Sequence, residues 1–245
     1  MKRFIPNGIT CMNVMSGACS IFLAMYGYLM EAALLILLAM VFDFFDGFAA
    51  RLLHAKSDIG KELDSLADVV SFGVAPAVLA HFLMLRSLSG GTMEYFGTWN
   101  WGEKAMLFTP LWLPAFSAYR LAKFNLDVRQ TTSFIGLPTP ANALFWVALV
   151  FGCFFVPNWY GCLFDQVYVL GGCVLFLSVL LVSELPMFSL KVKGLGWKEN
   201  QVRYLYFLLL ALLAFCLGKA VVMLVIPLYI LWAVIQALRN RMQGR

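Results

Sequence analysis

Charge is scarce in this chain. Asp, Glu, Lys and Arg supply 13% of its 245 residues, half of the roughly 25% found in ordinary soluble domains. A water-soluble globule with so few charges would have little surface to show to water, and that class is excluded. Disorder is excluded for the opposite reason, because disordered chains are poor in apolar residues and rich in net charge. Histidine occurs only at His54 and His81, and neither joins a cluster of ligating residue types. The six cysteines (Cys11, Cys19, Cys153, Cys162, Cys173, Cys216) are scattered, with no CxxC pair. They read as small buried or lipid-facing residues rather than a metal knuckle or a disulfide framework. No internal repeat or low-complexity tract is present. Met1-Lys2-Arg3 carries the charge of a signal-peptide start, but Pro6, Asn7, Thr10 and Asn13 interrupt what would have to be an apolar h-region. The segment is therefore expected to belong to the mature protein.

What fills the chain is apolar. Hydrophobic residues make up 62%, aromatics 16%, and the mean hydropathy is +0.83. Eight spans of about 20 residues would use roughly 160 positions and leave only short loops. The expectation is an all-α, polytopic membrane bundle of about eight transmembrane helices forming a single domain over residues 1–245. The spans are placed near 8–29, 32–51, 63–85, 104–123, 138–156, 166–186, 203–217 and 220–238, the last two separated by a tight turn at Gly218 and Lys219. With this map only Arg86, Lys104 and Lys219, of eighteen Lys and Arg, fall on one side of the membrane. The positive-inside rule then puts both termini and the loop after the second span in the cytoplasm. The net charge of +5 is thereby read as topology, and no nucleic-acid partner is implied. Trp99 and Trp101, in an outer loop at about 87–103 with Gly90 and Gly91, read as headgroup-level aromatics.

Polar groups at membrane depth are costly and therefore informative. Asp43 and Asp46 are three apart and share a face at the end of the second span. Asp64 and Asp68 are four apart and share a face at the start of the third. A short turn joins the two helices and can bring those faces together. Two unit charges 4 Å apart repel by roughly 4 kcal/mol at an effective dielectric of 20. Four converging carboxylates must therefore stay partly protonated or enclose a hard divalent cation, and oxygen-only ligands suit Mg²⁺, Mn²⁺ or Ca²⁺ rather than Zn²⁺. Two ions would balance four negative charges. Asp58 reads as a vestibule or cap residue. Intramembrane carboxylates also mark ion pathways, so a divalent-cation transporter or a scaffold is the alternative of a different class. Gly47, Ala50 and Gly60 argue against it: they strip bulk from beside the acids and make room for something flat or wide.

The pattern D-x2-D-G-x2-A-R-x8-G-x3-D-x3-D, carried by Asp43, Asp46, Gly47, Ala50, Arg51, Gly60, Asp64 and Asp68, resembles the signature of the CDP-alcohol phosphatidyltransferases. Flanking segments look like the integral-membrane phosphatidylserine synthases of that family. These are Phe4-Ile5-Pro6-Asn7 with Thr10 and Asn13, Leu63-Asp64-Ser65-Leu66-Ala67-Asp68, Ser71-Phe72-Gly73-Val74-Ala75-Pro76, Tyr119-Arg120-Leu121-Ala122-Lys123-Phe124-Asn125 and Gly136-Leu137-Pro138-Thr139-Pro140-Ala141. The resemblance covers about residues 4–142; over about 143–245 only hydropathy agrees.

The resemblance implies transfer of a phosphatidyl group from CDP-diacylglycerol to L-serine, with release of CMP and help from Mg²⁺ or Mn²⁺. Glycerol 3-phosphate, inositol or inositol phosphate are the alternative acceptors. It implies that Asp43, Asp46 and Asp64 bind a first cation. Asp68 helps hold a second and acts as general base. Asp46, Gly47, Ala50 and Gly60 line the cytidine and ribose site. Arg51 meets phosphate or serves as an orientation anchor. Arg120 and Lys123, three apart on one face, are candidates for the serine carboxylate or a lipid phosphate, or again are anchors. Asn7, Thr10, Asn13, Ser71 and Asn125 are further candidate substrate contacts. A homodimer in a prokaryotic cytoplasmic membrane, with the site facing the cytoplasm, completes the expectation.

Overall fold

A computed structural model describes residues 4–55, 57–89, 99–126, 134–187 and 197–242, and the side chains of 134, 197–200, 202 and 240–242 lie outside the description. Gly90, Gly91, Lys56, Arg129, Lys191 and Lys193 fall outside the described residues, as do the side chains of Lys198 and Arg241. The described chain is a helical bundle. Its helices are α1 (Phe4–Met25), α2 (Leu29–Leu52), α3 (Asp58–Asp68), α4 (Ala75–Ser89), α5 (Trp101–Phe108), α6 (Trp112–Leu126), α7 (Thr139–Phe155), α8 (Pro157–Leu163), α9 (Val167–Val182), α10 (Trp197–Leu217) and α11 (Val221–Met242). A π-helical turn, Val69–Val74, welds α3 to α4 into one rod, and a 3-10 turn at Thr109–Leu111 joins α5 to α6.

Among the described residues, four helical stretches are long and apolar enough to cross a bilayer: Phe4–Met25, Leu29–Leu52, Asp58–Ser89 and Arg203–Arg239. The pair α8 and α9, bent by 78°, adds a fifth if it counts as one span. The stretch Arg203–Arg239 is not a single rod. Tyr206 Oη donates to the Val225 carbonyl at 2.8 Å, and the Tyr206 and Tyr229 rings lie 6.3 Å apart. Nineteen residues of straight helix would separate the first pair by about 28 Å. The chain doubles back at Gly218, whose φ of +58° is one that a side chain disfavours. The tight turn expected there is present. Each of the eight expected segments falls on helical structure, the third on α3, the π-helical turn and α4 and the fourth on α5, the 3-10 turn and α6, but only four or five described stretches have the length and hydropathy of a span.

The differences lie at helix ends. The third segment starts at Asp58 rather than near 63, because Ser57 caps it: the Ser57 hydroxyl oxygen accepts from Gly60 N at 3.1 Å. The first ends at Met25, where Gly27 turns the chain with φ +85°. Two small features were not legible. One is α8, with Pro157 in its first turn. The other is a two-residue antiparallel pair, β1 (Phe134–Ile135) with β2 (Pro186–Met187). The pair accounts physically for the Gly136-Leu137-Pro138 motif. Gly136 has φ +77°, and a Cβ there would strike the Leu181 and Ser183 carbonyls at 2.6 and 2.9 Å. Gly136 N donates to Leu185 O and Leu137 N to Leu180 O, which ties the entry of α7 to the exit of α9.

The core is contiguous and built largely of small and aliphatic residues. Ala24, Ala32, Ala33 and Ala39 are fully buried where α1 and α2 pack along their length, and Ser20 Oγ bridges to Ala32 O at 2.8 Å. Small residues and interhelical hydrogen bonds drive helix association where lipid removes the hydrophobic incentive. α11 packs on α7, so the final hairpin belongs to the same bundle.

Candidate active site

The last turns of α2 and the whole of α3 meet against the first turns of α1. Carboxylate oxygens of Asp43, Asp64 and Asp68 can all lie within 4.8 Å of one another, so the helix faces expected to converge do so. Asp64 is in hydrogen-bonding reach of Asp43 and feels the charge of Asp46; Asp68 feels the charges of all three. Asp46 stands beside this trio rather than within it. It is 5% exposed, against the Thr10 hydroxyl, which itself donates to Pro6 O at 3.1 Å. Asp68 is 9% exposed.

Three buried oxygens of this group, Asp46 Oδ2, Asp64 Oδ1 and Asp68 Oδ1, have no hydrogen-bond partner. Buried acceptors are ordinarily satisfied, and unpaired ones that also repel one another are the more costly. An all-oxygen donor set, close-packed and unsatisfied, fits a hard divalent cation.

A cleft of about 410 Å³ opens next to the acids. It is lined by Pro6, Asn7, Thr10, Asp46, Gly47, Ala50, Ala55, Ser57, Asp58, Gly60, Lys61 and Asp64, and its size falls within the range of small-ligand sites, about 300–1,000 Å³. Of the residues expected at the nucleotide, Asp46, Gly47, Ala50 and Gly60 line it; Arg51 is exposed and does not. At Gly60 α3 lies close against α1: a Cβ there would lie 3.1 Å from Asn7 Oδ1 and 3.0 Å from Ser57 Oγ. At Gly47 the space is open, with only Arg51 Nη1 at 4.0 Å.

Arg120 comes from α6 and is 7% exposed. Its guanidinium stacks over Phe124 at 5.9 Å from the ring centroid and lies within electrostatic reach of Asp68 on one side and Tyr229 of α11 on another. Nε has no hydrogen-bond partner. Its companion Lys123 is turned to the rim, where it pairs with Glu184 at 3.9 Å. Two other expected contacts are engaged in packing. Ser71 Oγ donates to Asn13 O at 3.0 Å, holding the π-helical turn to α1, while both polar atoms of the buried Asn13 side chain are unpaired. Asn125 Nδ2 donates to Ser65 Oγ at 2.8 Å. The structure also brings forward residues that sequence reasoning passed over. Lys61 and Ser57 line the cleft; an N-cap Ser three residues before a glycine was the available signal for Ser57. Tyr229 carried no local signal, since its place beside Arg120 depends on the fold of distant segments.

The chain is similar in sequence to known proteins. A CDP-diacylglycerol–serine O-phosphatidyltransferase of Bacillus subtilis (strain 168) is 38% identical over 149 residues, 61% of this chain and 76% of that protein. One from Helicobacter pylori (strain J99) is 37% identical over 193 residues, 77% of this chain and 73% of its own. One from Mycobacterium tuberculosis (strain CDC 1551 / Oshkosh) is 30% identical over 243 residues, 96% of this chain and 75% of its own. The family model described as CDP-alcohol phosphatidyltransferase matches residues 3–183, a stretch that contains every signature position from Asp43 to Asp68, and the chain belongs to that family.

Proposed function

We propose that this enzyme transfers the phosphatidyl group of CDP-diacylglycerol to the hydroxyl of L-serine, giving phosphatidylserine and CMP. The observation that carries the reading is the convergence of Asp43, Asp64 and Asp68 beside a cleft floored by Gly47, Ala50 and Gly60. Acids alone would suit an ion path. Acids beside a cleft of nucleotide size suit a liponucleotide whose diphosphate lies at the acids and whose cytidine lies along the small residues. The names of the relatives supply the acceptor.

Asp43, Asp46, Asp64 and Asp68 would hold divalent cations, Mg²⁺ or Mn²⁺ and two in number, which when bound offset the diphosphate charge and ease the departure of CMP. The residues of the chain do the rest. Asn7, Thr10 and Asp46 offer polar atoms to the nucleoside. Asp68 Oδ1, buried and without a hydrogen-bond partner, takes the serine hydroxyl proton as the serine oxygen bonds to the phosphatidyl phosphorus and the bond from phosphorus to CMP breaks. Arg120 offers its fork to the serine carboxylate. That assignment follows from charge: a buried guanidinium must be paired, and Asp68 cannot serve as its full partner while also facing the cations and the acceptor. Positioning and charge stabilisation carry most of such a transfer. We place both termini and the site at the cytoplasmic face of a prokaryotic membrane and treat residues 1–245 as one domain working as a homodimer.

The test is CMP release by the purified protein given CDP-diacylglycerol and a panel of alcohols, with and without chelator. Serine-dependent release that chelator stops and Mg²⁺ or Mn²⁺ restores is expected. Release with glycerol 3-phosphate and none with serine would sink the assignment of the acceptor, and cation flux in liposomes without any CMP would sink the enzyme itself.

A further inference from the structure

The rim of the site holds a ring of three hydrogen bonds that the transfer chemistry does not use. Lys61 Nζ donates to the Asn125 carbonyl oxygen at 3.0 Å. Asn125 Nδ2 donates to Ser65 Oγ at 2.8 Å. The Ser65 hydroxyl donates to the Lys61 carbonyl at 3.2 Å, one turn back along α3. α3 is thereby tied to the last turn of α6, a segment 64 residues away in sequence. The ammonium meets α6 at its C-terminus, where carbonyls lack helical partners and carry partial negative charge.

A second contact joins the same two segments deeper in the bundle. Gly73, in the π-helical turn after Asp68, lies so close to α6 that a Cβ there would come 3.2 Å from Ser117 Cβ and 3.3 Å from Pro114 Cα. α6 is thus held at Ser117 and at Asn125, and Arg120 lies between them. On the facing rod, Asp68 lies between Ser65 and Gly73. The two contacts bracket the pair of side chains whose separation decides where an acceptor fits. Helices held at two points cannot pivot. α6 also packs along α9, and Lys123 pairs with Glu184, so loss of the Asn125 tie loosens α6 on the side that faces α3. A 10° tilt there about Ser117 displaces the backbone at Arg120, three residues along, by roughly 0.8 Å. Errors near 1 Å in a reacting geometry cost up to about a hundredfold.

We infer that Lys61, Ser65 and Asn125 form a positioning latch that sets Arg120 against Asp68 and so governs how the acceptor is held. The inference rests on the assignment of Arg120 to the serine carboxylate. Lys61 also lines the cleft assigned to the liponucleotide, but Ser65 and Asn125 do not, so changes at those two positions separate the two substrates. The latch also gives Asn125 a role other than substrate contact.

The experiment uses the full chain in mixed micelles, with CDP-diacylglycerol and serine varied independently. Ser65→Ala and Asn125→Ala are expected to raise KM for serine about tenfold while KM for CDP-diacylglycerol stays within about twofold. Ser65→Thr, which keeps the hydroxyl, is expected to restore the serine KM. Arg120→Lys, measured alongside, tests the assignment on which the latch depends. If Arg120→Lys raises the serine KM and neither alanine variant does, the latch is overturned and the acceptor assignment stands. An equal rise in both KM values, or no rescue by Ser65→Thr, would mean general loosening and also overturns the latch. If Arg120→Lys leaves the serine KM unchanged, the acceptor assignment falls and takes the latch with it. Should Asn125→Ala fail to fold, Ser65→Ala deletes a single hydroxyl at a half-buried position and carries the test.

Discussion

The hairpin of α2 and α3 and the hairpin of α10 and α11 use buried polar atoms in opposite ways. In the first, Asp46 Oδ2, Asp64 Oδ1 and Asp68 Oδ1 are buried with no partner, and the groups that own them repel. In the second, Tyr206 Oη is bonded across the hairpin to Val225 O at 2.8 Å, and among its described residues only the Trp232 indole nitrogen is buried unpaired. Both hairpins pack into one core. A satisfied buried polar group fixes the pairing of its own helices and needs nothing more. Unsatisfied charged groups destabilise the empty protein, and what offsets that cost is a ligand. The contrast therefore separates the part of the molecule that acts from the part that supports it, and it can be attacked from either side.

The largest expected effect is at Asp68. Asp68→Asn removes the proton acceptor and should lower kcat by at least about a hundredfold, the lower end of what a positioned general base contributes. It also removes one of several like charges from a dry cluster, where repulsion from Asp43, Asp64 and Asp46 outweighs the attraction to Arg120, so the melting temperature in the absence of divalent cation should rise. Loss of activity together with gain of stability is the signature of a functional acid. If activity stays within about twofold, Asp68 is not the base. If activity and stability fall together, the acids are a structural network and the contrast between the hairpins is lost.

A smaller effect tests the open space on α2. Gly47 sits inside a helix, where glycine costs about 1 kcal/mol relative to alanine, and a Cβ there meets nothing closer than Arg51 Nη1 at 4.0 Å. Gly47→Ala should therefore leave the empty protein as stable or slightly more so, while KM for CDP-diacylglycerol rises about tenfold because the methyl occupies the face assigned to the nucleotide. An unchanged KM would mean that nothing lies flat against α2 at that point.

The legibility of the site followed the range of the interactions that build it. Acids three and four residues apart fall on one helix face by geometry alone, so the sequence leads one to expect Asp43, Asp46, Asp64 and Asp68 together; the structure gathers Asp43, Asp64 and Asp68 and leaves Asp46 beside them. Gly47, Ala50 and Gly60 could be placed on the cleft in the same way. The residues beyond the acids depended on long-range partners. Ser71 reads as one turn from Asp68, but Val69–Val74 is a π-helical turn, and no feature of Val-Val-Ser-Phe-Gly-Val marks an i→i+5 pattern. Lys123 and Arg120 share a helix face in sequence, yet the β1–β2 pairing brings Glu184 to the rim, where it meets Lys123, while Arg120 stays inside. Asn125 reads as a candidate substrate contact because it is a polar group near the level of the acids, and its partner Ser65 lies 60 residues away.

The smallest effect probes the supporting hairpin. Tyr206→Phe removes the bond to Val225 O and keeps the ring that packs 6.3 Å from Tyr229. One net hydrogen bond is worth about 0.5–1.5 kcal/mol, which for a chain of this size corresponds to a fall in melting temperature of a few degrees, roughly 2–4 °C per kcal/mol. Both KM values and kcat should stay unchanged, because Tyr229 is the residue of this hairpin that faces Arg120, and the phenylalanine ring at 206 still backs it. A tenfold loss of serine kcat/KM, about 1.4 kcal/mol, would show that the Tyr206 hydroxyl reaches the acceptor site through Tyr229. The last hairpin would then belong to the active part of the molecule, and a satisfied hydrogen bond would no longer mark a residue as support.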